Sequence, residues 1–150
     1  MGALTKDRPI RIKGEAKTER FFMSTAAAFH AYKGNPMVID INVDGTLAVP
    51  YHTVACADND IFLGIAAEEK VVVLGDPETT PIEVYVWPSI IGFPDPTPIF
   101  SNNDLGGYVW LDGDTLAVAN GTYPRIGTLF KIEDGYAYVR IDSPIDIDIP

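Results

Sequence analysis

Acid-glycine pairs punctuate this chain, and on either side of them apolar residues recur at every second position. The clearest case is residues 33–50, KGNPMVIDINVDGTLAVP. Gly34-Asn35-Pro36 interrupts the backbone. Met37, Ile39 and Ile41 then alternate with Val38, Asp40 and Asn42, a period of two that predicts a half-buried strand. Asp44-Gly45 turns the chain, and Leu47 and Val49 resume the period. A two-residue loop would set Ile41 opposite Ala48 and put Leu47 on the face of Asp40 and Asn42. A three-residue loop, Val43-Asp44-Gly45, sets Ile41 opposite Leu47 and Ile39 opposite Val49. It leaves one face apolar and is the register expected here.

A variant of this hairpin returns about seventy residues later: DGTLAVP at 44–50 is echoed by DGDTLAVA at 112–119. The strands that follow also rhyme, FLGIAAEE at 62–69 with RIGTLFKIED at 125–134. The chain therefore reads as two similar β-units within one fold. A third hairpin, 126–141, turns at Glu133-Asp134-Gly135 and is expected to pair Phe130 with Tyr138. Between these units, residues 61–66 (IFLGIA), 70–74 and 82–87 (IEVYVW) read as short strands. Gly64 marks a bulge or a close backbone approach.

Residues 21–32, FFMSTAAAFHAY, fit a short helix or a strand about equally well. Residues 88–103, PSIIGFPDPTPIFSNN, form a proline-rich loop in which Pro94, Pro96 and Pro98 resist a regular ladder. Its apolar residues Ile91, Phe93, Ile99 and Phe100 either fold back on the core or meet a partner. The tail, 142–150, alternates isoleucine with aspartate and is either a last strand or an acidic extension. The expected fold is all-β: a small barrel or sandwich of short antiparallel strands, with an extended N-terminal arm and at most one short helix. Residues 21–150 are expected to form a single β-domain behind an arm of residues 1–20.

Charge separates that arm from the body. Six basic residues against three acids give residues 1–20 a charge of +3, so the other 130 residues carry −13 of the total −10. Arg8, Ile10, Arg11, Ile12, Lys13, Lys17 and Arg20 are the candidate contacts of an extended strand that seeks a negatively charged neighbour. The acidic body argues against nucleic acid as a partner. Cys56 is the lone cysteine, so no internal disulfide can form. No apolar run is long enough for a membrane span, and no apolar core follows the basic N-terminus as a secretory signal would require.

Chemistry-bearing motifs are sparse. His30 and His52 are the only histidines, and no nucleophile signature accompanies them or Cys56, whose neighbours Val54, Ala55 and Ala57 suit a packed thiol. Asp58-Asn59-Asp60 and Asp112-Gly113-Asp114 offer oxygens to a hard cation, but acid-glycine pairs are also what tight hairpins require. Phosphate-cradling glycine motifs are absent. Tyr85, Trp87, Tyr108 and Trp110 alternate on strands, which suits either cross-strand packing or a stacking surface for a sugar. The expectation is a protein without catalytic residues, metal or cofactor. A carbohydrate- or ligand-binding β-module on a virion or cell surface, using Trp87 and Trp110, is the alternative.

The order of motifs carries a resemblance. An alanine-rich segment runs into Tyr32-Lys33-Gly34-Asn35-Pro36-Met37-Val38. The Asp-Gly hairpin, Phe62-Leu63-Gly64-Ile65-Ala66 and Glu83-Val84-Tyr85-Val86 follow. Then come Asp104-Leu105-Gly106 with Tyr108-Val109, Thr115-Leu116-Ala117-Val118, Ile126-Gly127 and a closing Val139-Arg140-Ile141. Over residues 21–141 this resembles the capsid cement, or head decoration, proteins of tailed bacteriophages. The resemblance implies a structural virion protein, made in the bacterial cytoplasm. It would sit on the outer capsid surface as a homotrimer that clamps the major capsid protein, with its arm adding to a capsid sheet edge.

Overall fold

The computed structural model describes residues 6–40, 47–51, 61–112, 115–118, 124–142 and 145–146. It is all-β. The strands are β1 (Arg11–Lys13), β2 (Lys17–Phe22), β3 (Phe29–Ala31), β4 (Pro36–Ile39), β5 (Ala48–Pro50), β6 (Ile61–Ala66) and β7 (Lys70–Val72), followed by β8 (Pro81–Val86), β9 (Ile90–Pro94), β10 (Tyr108–Asp112), β11 (Thr115–Ala117), β12 (Arg125–Glu133), β13 (Tyr136–Ile141) and β14 (Ile145–Asp146). The one helical element among the described residues is a 3-10 turn, Asn102–Asp104, closed by a reciprocal capping box between Ser101 and Asp104. Residues 21–32 are not helical. Phe21 and Phe22 finish β2, and Phe29 begins β3.

Three open antiparallel sheets stack, and none closes into a barrel. The first has the order β1-β9-β13-β12-β10-β11. The second has the order β2-β8-β6-β4-β5, with β14 beside β6, and β3 pairs with β7 in a third. One core, built on Phe62, Ile65, Ile91, Phe93, Leu111 and Ile141, lies between the first and second sheets. A second core, built on Met23, Met37, Leu63, Val72, Ile82 and Val84, lies on the other side of the second sheet. The second sheet is thus the middle layer, and its strands β4, β5 and β6 are buried on both faces.

This burial overturns the register expected for the first hairpin. Val38 pairs with Val49 and Ile39 with Ala48, one residue away from the expected pairing of Ile39 with Val49. The expectation assumed one solvent face. In fact Val38 and Val49 face the first core, while Met37, Ile39 and Ala48 face the second. With both faces apolar, alternation no longer distinguishes one register from its neighbour. Ile41 and the Asp44-Gly45 loop lie outside the described residues.

The two β-units suggested by the sequence are structurally equivalent. In each, a hairpin (β4–β5, β10–β11) is followed by a strand (β6, β12) that returns beside the hairpin's first strand. In each, the returning strand bulges at the same place. Met37 pairs with Gly64 and Val38 with Phe62, skipping Leu63; Val109 pairs with Gly127 and Trp110 with Arg125, skipping Ile126. The bulge resets the parity of the strand, so that Phe62 and Ile65, three residues apart, face the same core. A Cβ at Gly64 would overlap the Tyr85 carbonyl oxygen and approach Val84 Cγ1 to 2.6 Å. A Cβ at Gly127 would overlap the Arg140 carbonyl oxygen and approach Val139 Cγ1 to 3.0 Å.

The third hairpin turns on Asp134-Gly135, both with positive φ (54° and 78°), and Glu133 pairs with Tyr136. Positive φ at both loop positions is the type I′ requirement that an Asp-Gly pair meets at low cost. Phe130 does not pair with Tyr138 as expected. A register shift between Leu129 and Lys131 places Lys131 opposite Tyr138 and leaves Phe130 out of the ladder. The tail contributes β14, where Ile145 and Asp146 pair with Phe62 and Ile61.

Of the expected arm, residues 6–20 are described, and they are not separable from the body. β1 pairs with β9 at the edge of the first sheet and β2 with β8 at the edge of the second, so the boundary drawn at residue 20 falls inside a strand. Arg8 is buried, its N–H donating to Lys33 O at 2.8 Å. The local alternation in Arg11-Ile12-Lys13 is weak because edge strands need only one partner.

Two outcomes follow for stability. Gly64→Ala and Gly127→Ala should each cost about 3 kcal/mol or more in chemical denaturation, because the obstacle is backbone that cannot rotate away, whereas exposed Val71→Ala should change stability by less than about 0.5 kcal/mol. Deleting residues 1–20 should lower the denaturation midpoint rather than leave the body unchanged, since it strips an edge strand from each of two sheets.

Candidate functional site

The outer face of the first sheet gathers a set of side chains that no single segment announces. Strand alternation sends Ala137, Val139 and Ile141 of β13 into the first core and turns Tyr136, Tyr138 and Arg140 outward. On β10, Val109 and Leu111 face inward and Tyr108 and Trp110 outward. Arg11 and Lys13 of β1 lie across from Gly92 and Ile90 on the same outer side. Gly92 makes room for the Tyr138 ring, which would lie 2.7 Å from any Cβ there.

Five of the eleven lysines and arginines reach this face: Arg11, Lys13, Arg125, Lys131 and Arg140. Four of them lie over aromatic rings. Arg11 is 4.0 Å from the Tyr136 centroid, Arg125 4.3 Å from Tyr108, Lys13 5.3 Å from Tyr138 and Arg140 5.5 Å from Phe130. A cation over a ring is held by the ring's quadrupole and loses less freedom when it binds an anion. Tyr108 and Trp110 meet edge to face at 6.1 Å, which makes that end of the layer rigid.

Among the described side chains, Glu133 and Asp142 are acids that meet the cations of this face. Glu133 takes Lys131 at 2.9 Å and Lys13 at 3.5 Å. The Lys131 hydrogen bond first, then the Lys13 charge, hold its carboxyl below the ordinary glutamate range. Asp142 Oδ2 accepts from Arg125 Nε at 3.2 Å. Burial raises the Asp142 pKa, and Arg125 only partly offsets it. The Tyr138 hydrogen bond is the main cause that raises the Arg11 pKa. Among the described residues, neither Arg11 nor Arg140 has a carboxylate within 4.0 Å.

The residues nominated from sequence scatter. Of the arm set, Arg8 lies 5.7 Å from the Phe93 ring and Ile10 packs on the first core, so both are internal. Arg11 and Lys13 join the cationic face, and Ile12 is exposed beside them. Lys17 and Arg20 lie on the edge strand of the middle sheet, where Arg20 pairs with Glu83 at 3.2 Å. Of the proline-loop set, Ile91 and Phe93 are core residues of β9, an inner strand of the first sheet, and Phe100 is buried with them. Only Ile99 is exposed, at 44%. Pro94 stands at the last position of β9, where the ladder can spare its donor.

Trp110 is 7% exposed, and Trp87 follows β8 of the other sheet, so the two tryptophans do not form one stacking platform. A shallow pocket of about 410 Å³ lies beside Trp110, lined by Phe100, Leu105, Tyr108 and Val118. Its one carboxylate, Asp104, is engaged by the Ser101 N–H at 2.7 Å. His30 pairs with Glu69 at 2.5 Å and stacks on Tyr32. His52, Cys56, Asp58, Asn59, Asp60, Gly113 and Asp114 lie outside the described residues. Among the described ones, no three His, Cys, Asp or Glu come together as a metal site, and no helix is long and apolar enough to cross a membrane.

Sequence reasoning missed Arg125, Lys131, Arg140, Tyr136 and Tyr138. Their signal was the alternation Tyr-x-Tyr-x-Arg at 136–140, readable as an outward face once the inward residues were known. Comparison with protein-family patterns, with curated proteins and with solved structures found no match.

In an NMR pH titration, Lys131→Ala should raise the Glu133 midpoint more than Lys13→Ala does. A carboxyl held low in the folded state adds stability above its unfolded pKa and loses it as pH falls through the folded value. Stability from Glu133 should therefore be present at neutral pH and vanish in acid, with a small amplitude because the group is exposed.

Proposed function

We propose that this chain is a structural virion protein that binds the outer surface of a tailed-phage capsid and stabilises it, as the resembling cement proteins do. The observation that carries this reading is the edge strand β2. It runs for six residues, Lys17 to Arg20 are all exposed, and among the described residues its outer side has no strand partner. A row of unpaired N–H and C=O groups flanked by Lys17, Arg20 and exposed Phe22 is suited to accept a strand from a neighbouring chain.

In this reading the arm does not leave the body to invade a capsid sheet. It is already folded, and its strand β2 presents the edge to which the major capsid protein would add. Pre-folding reduces the ordering cost of each contact. Repetition over a capsid lattice, with the protein as a homotrimer, then multiplies weak single contacts into firm attachment. The protein would act without catalytic residues or cofactor.

Purified protein should co-sediment with expanded phage heads that lack it and not with unexpanded precursors. Lys17→Glu with Arg20→Glu should weaken that binding at least about tenfold while leaving the circular dichroism spectrum unchanged. Equal binding by this double variant would reject the β2 edge as the contact, and absence of binding to expanded heads would reject the capsid reading itself.

A further inference from the structure

The equivalence of the two β-units identifies which surfaces are the ends of the stack. Val38 and Tyr85 of the middle sheet face the first core, where the outer sheet covers them. Their counterparts by register in the outer sheet are Trp110 and Arg140, which face away from the body. The outer face of the first sheet is therefore the position that a further layer would occupy. It carries five cations where the equivalent face of the middle sheet, with Val38, Phe62, Ile65 and Tyr85, is apolar.

The opposite end of the stack is the outer surface of the β3–β7 sheet. There Val71, Val73 and Leu74 are 56%, 53% and 73% exposed, an apolar strip that stands open among the described residues. Residues 67–79 hold four acids against the single cation Lys70: Glu68 accepts from the Glu83 N–H at 2.8 Å, Glu69 meets His30, Asp76 accepts from the Val73 N–H at 2.9 Å beside the strip, and Glu78 follows. One end of the molecule is positive and aromatic, and the other is acidic and apolar.

We infer that these two ends are the halves of a head-to-tail contact between copies of this chain. The acidic corner around Val73 of one copy docks on the Arg11–Arg140 face of the next. The ring-backed guanidiniums receive carboxylates, and the valine strip covers the exposed edges of Phe130 and Tyr136. Two like ends cannot pair with each other, because each would set its own charge sign against itself. The contact is therefore heterologous, and it generates a ring where the rotation closes. A long polyanion fits less well, since the rest of a chain of net charge −10 repels it. A few carboxylates on a compact patch meet only the local positive field, screened beyond about 8 Å at physiological salt. The residues used are distinct from the β2 contact proposed for the capsid, so either proposal can fail alone.

The test is sedimentation velocity of the full chain over a concentration series, at low and at high salt. Wild type should self-associate, and high salt should weaken the association at least about tenfold, as expected when charged groups dominate the contact. Arg11→Glu with Arg140→Glu should be monomeric, and so should Val73→Asp with Leu74→Asp, each with an unchanged circular dichroism spectrum. Mixing the two variants should yield one-to-one heterodimers and nothing larger, because each retains one intact end. Wild type that stays monomeric at every concentration overturns the inference. So does association that persists in either variant, or a mixture that remains monomeric.

Discussion

At Gly64 and at Gly127 a strand passes so close to its neighbour that a side chain would collide with a backbone carbonyl. Each glycine sits at a bulge that resets which way the following residues face. Without the reset at Gly64, Phe62 and Ile65 could not both face the first core, and the middle sheet could not supply apolar side chains to both of its neighbours. The layered body depends on this close approach. The sheets are held by two cores that share one central sheet, and the central sheet is filled on both sides because its strands change parity at a fixed point.

That architecture also distributes the charge. A sheet buried on both faces has no room for ionised groups, so cations and acids are driven to the two ends of the stack and to the edges. Arg11, Lys13, Arg125, Lys131 and Arg140 collect on one end although β1 precedes β12 and β13 by more than a hundred residues. The aromatic rings beneath them fix their positions. The same fold gives the edge strand β2 a run of exposed residues at the side of the middle layer. End faces and edges are where the body can meet other chains, and they are chemically different from one another.

Much of the local structure was legible. The strand at 61–66, the Asp-Gly turn of the third hairpin, the hairpin about Asp112 and the repetition of the two units all follow from period-two patterning and turn chemistry. What failed did so for one reason in three places. The first hairpin slipped by one residue, β9 was read as a loop, and residues 1–20 were read as a free arm. In each, the deciding interaction lies with a strand distant in sequence: β6 for the hairpin, β13 for β9, and β8 and β9 for the arm. Proline at 94 and 96 obscured β9, although only its last position carries one.

By itself the sequence determined that the chain is all-β, where most of its turns fall, and that two of its segments are variations on one unit. These follow from the spacing of apolar residues and from the few residue types that tolerate a tight turn. Only the tertiary structure decided which strands have both faces buried, and so which register holds. It also decided which basic residues share a surface, because side chains alternate along each strand and only the pairing of strands says which alternation faces out.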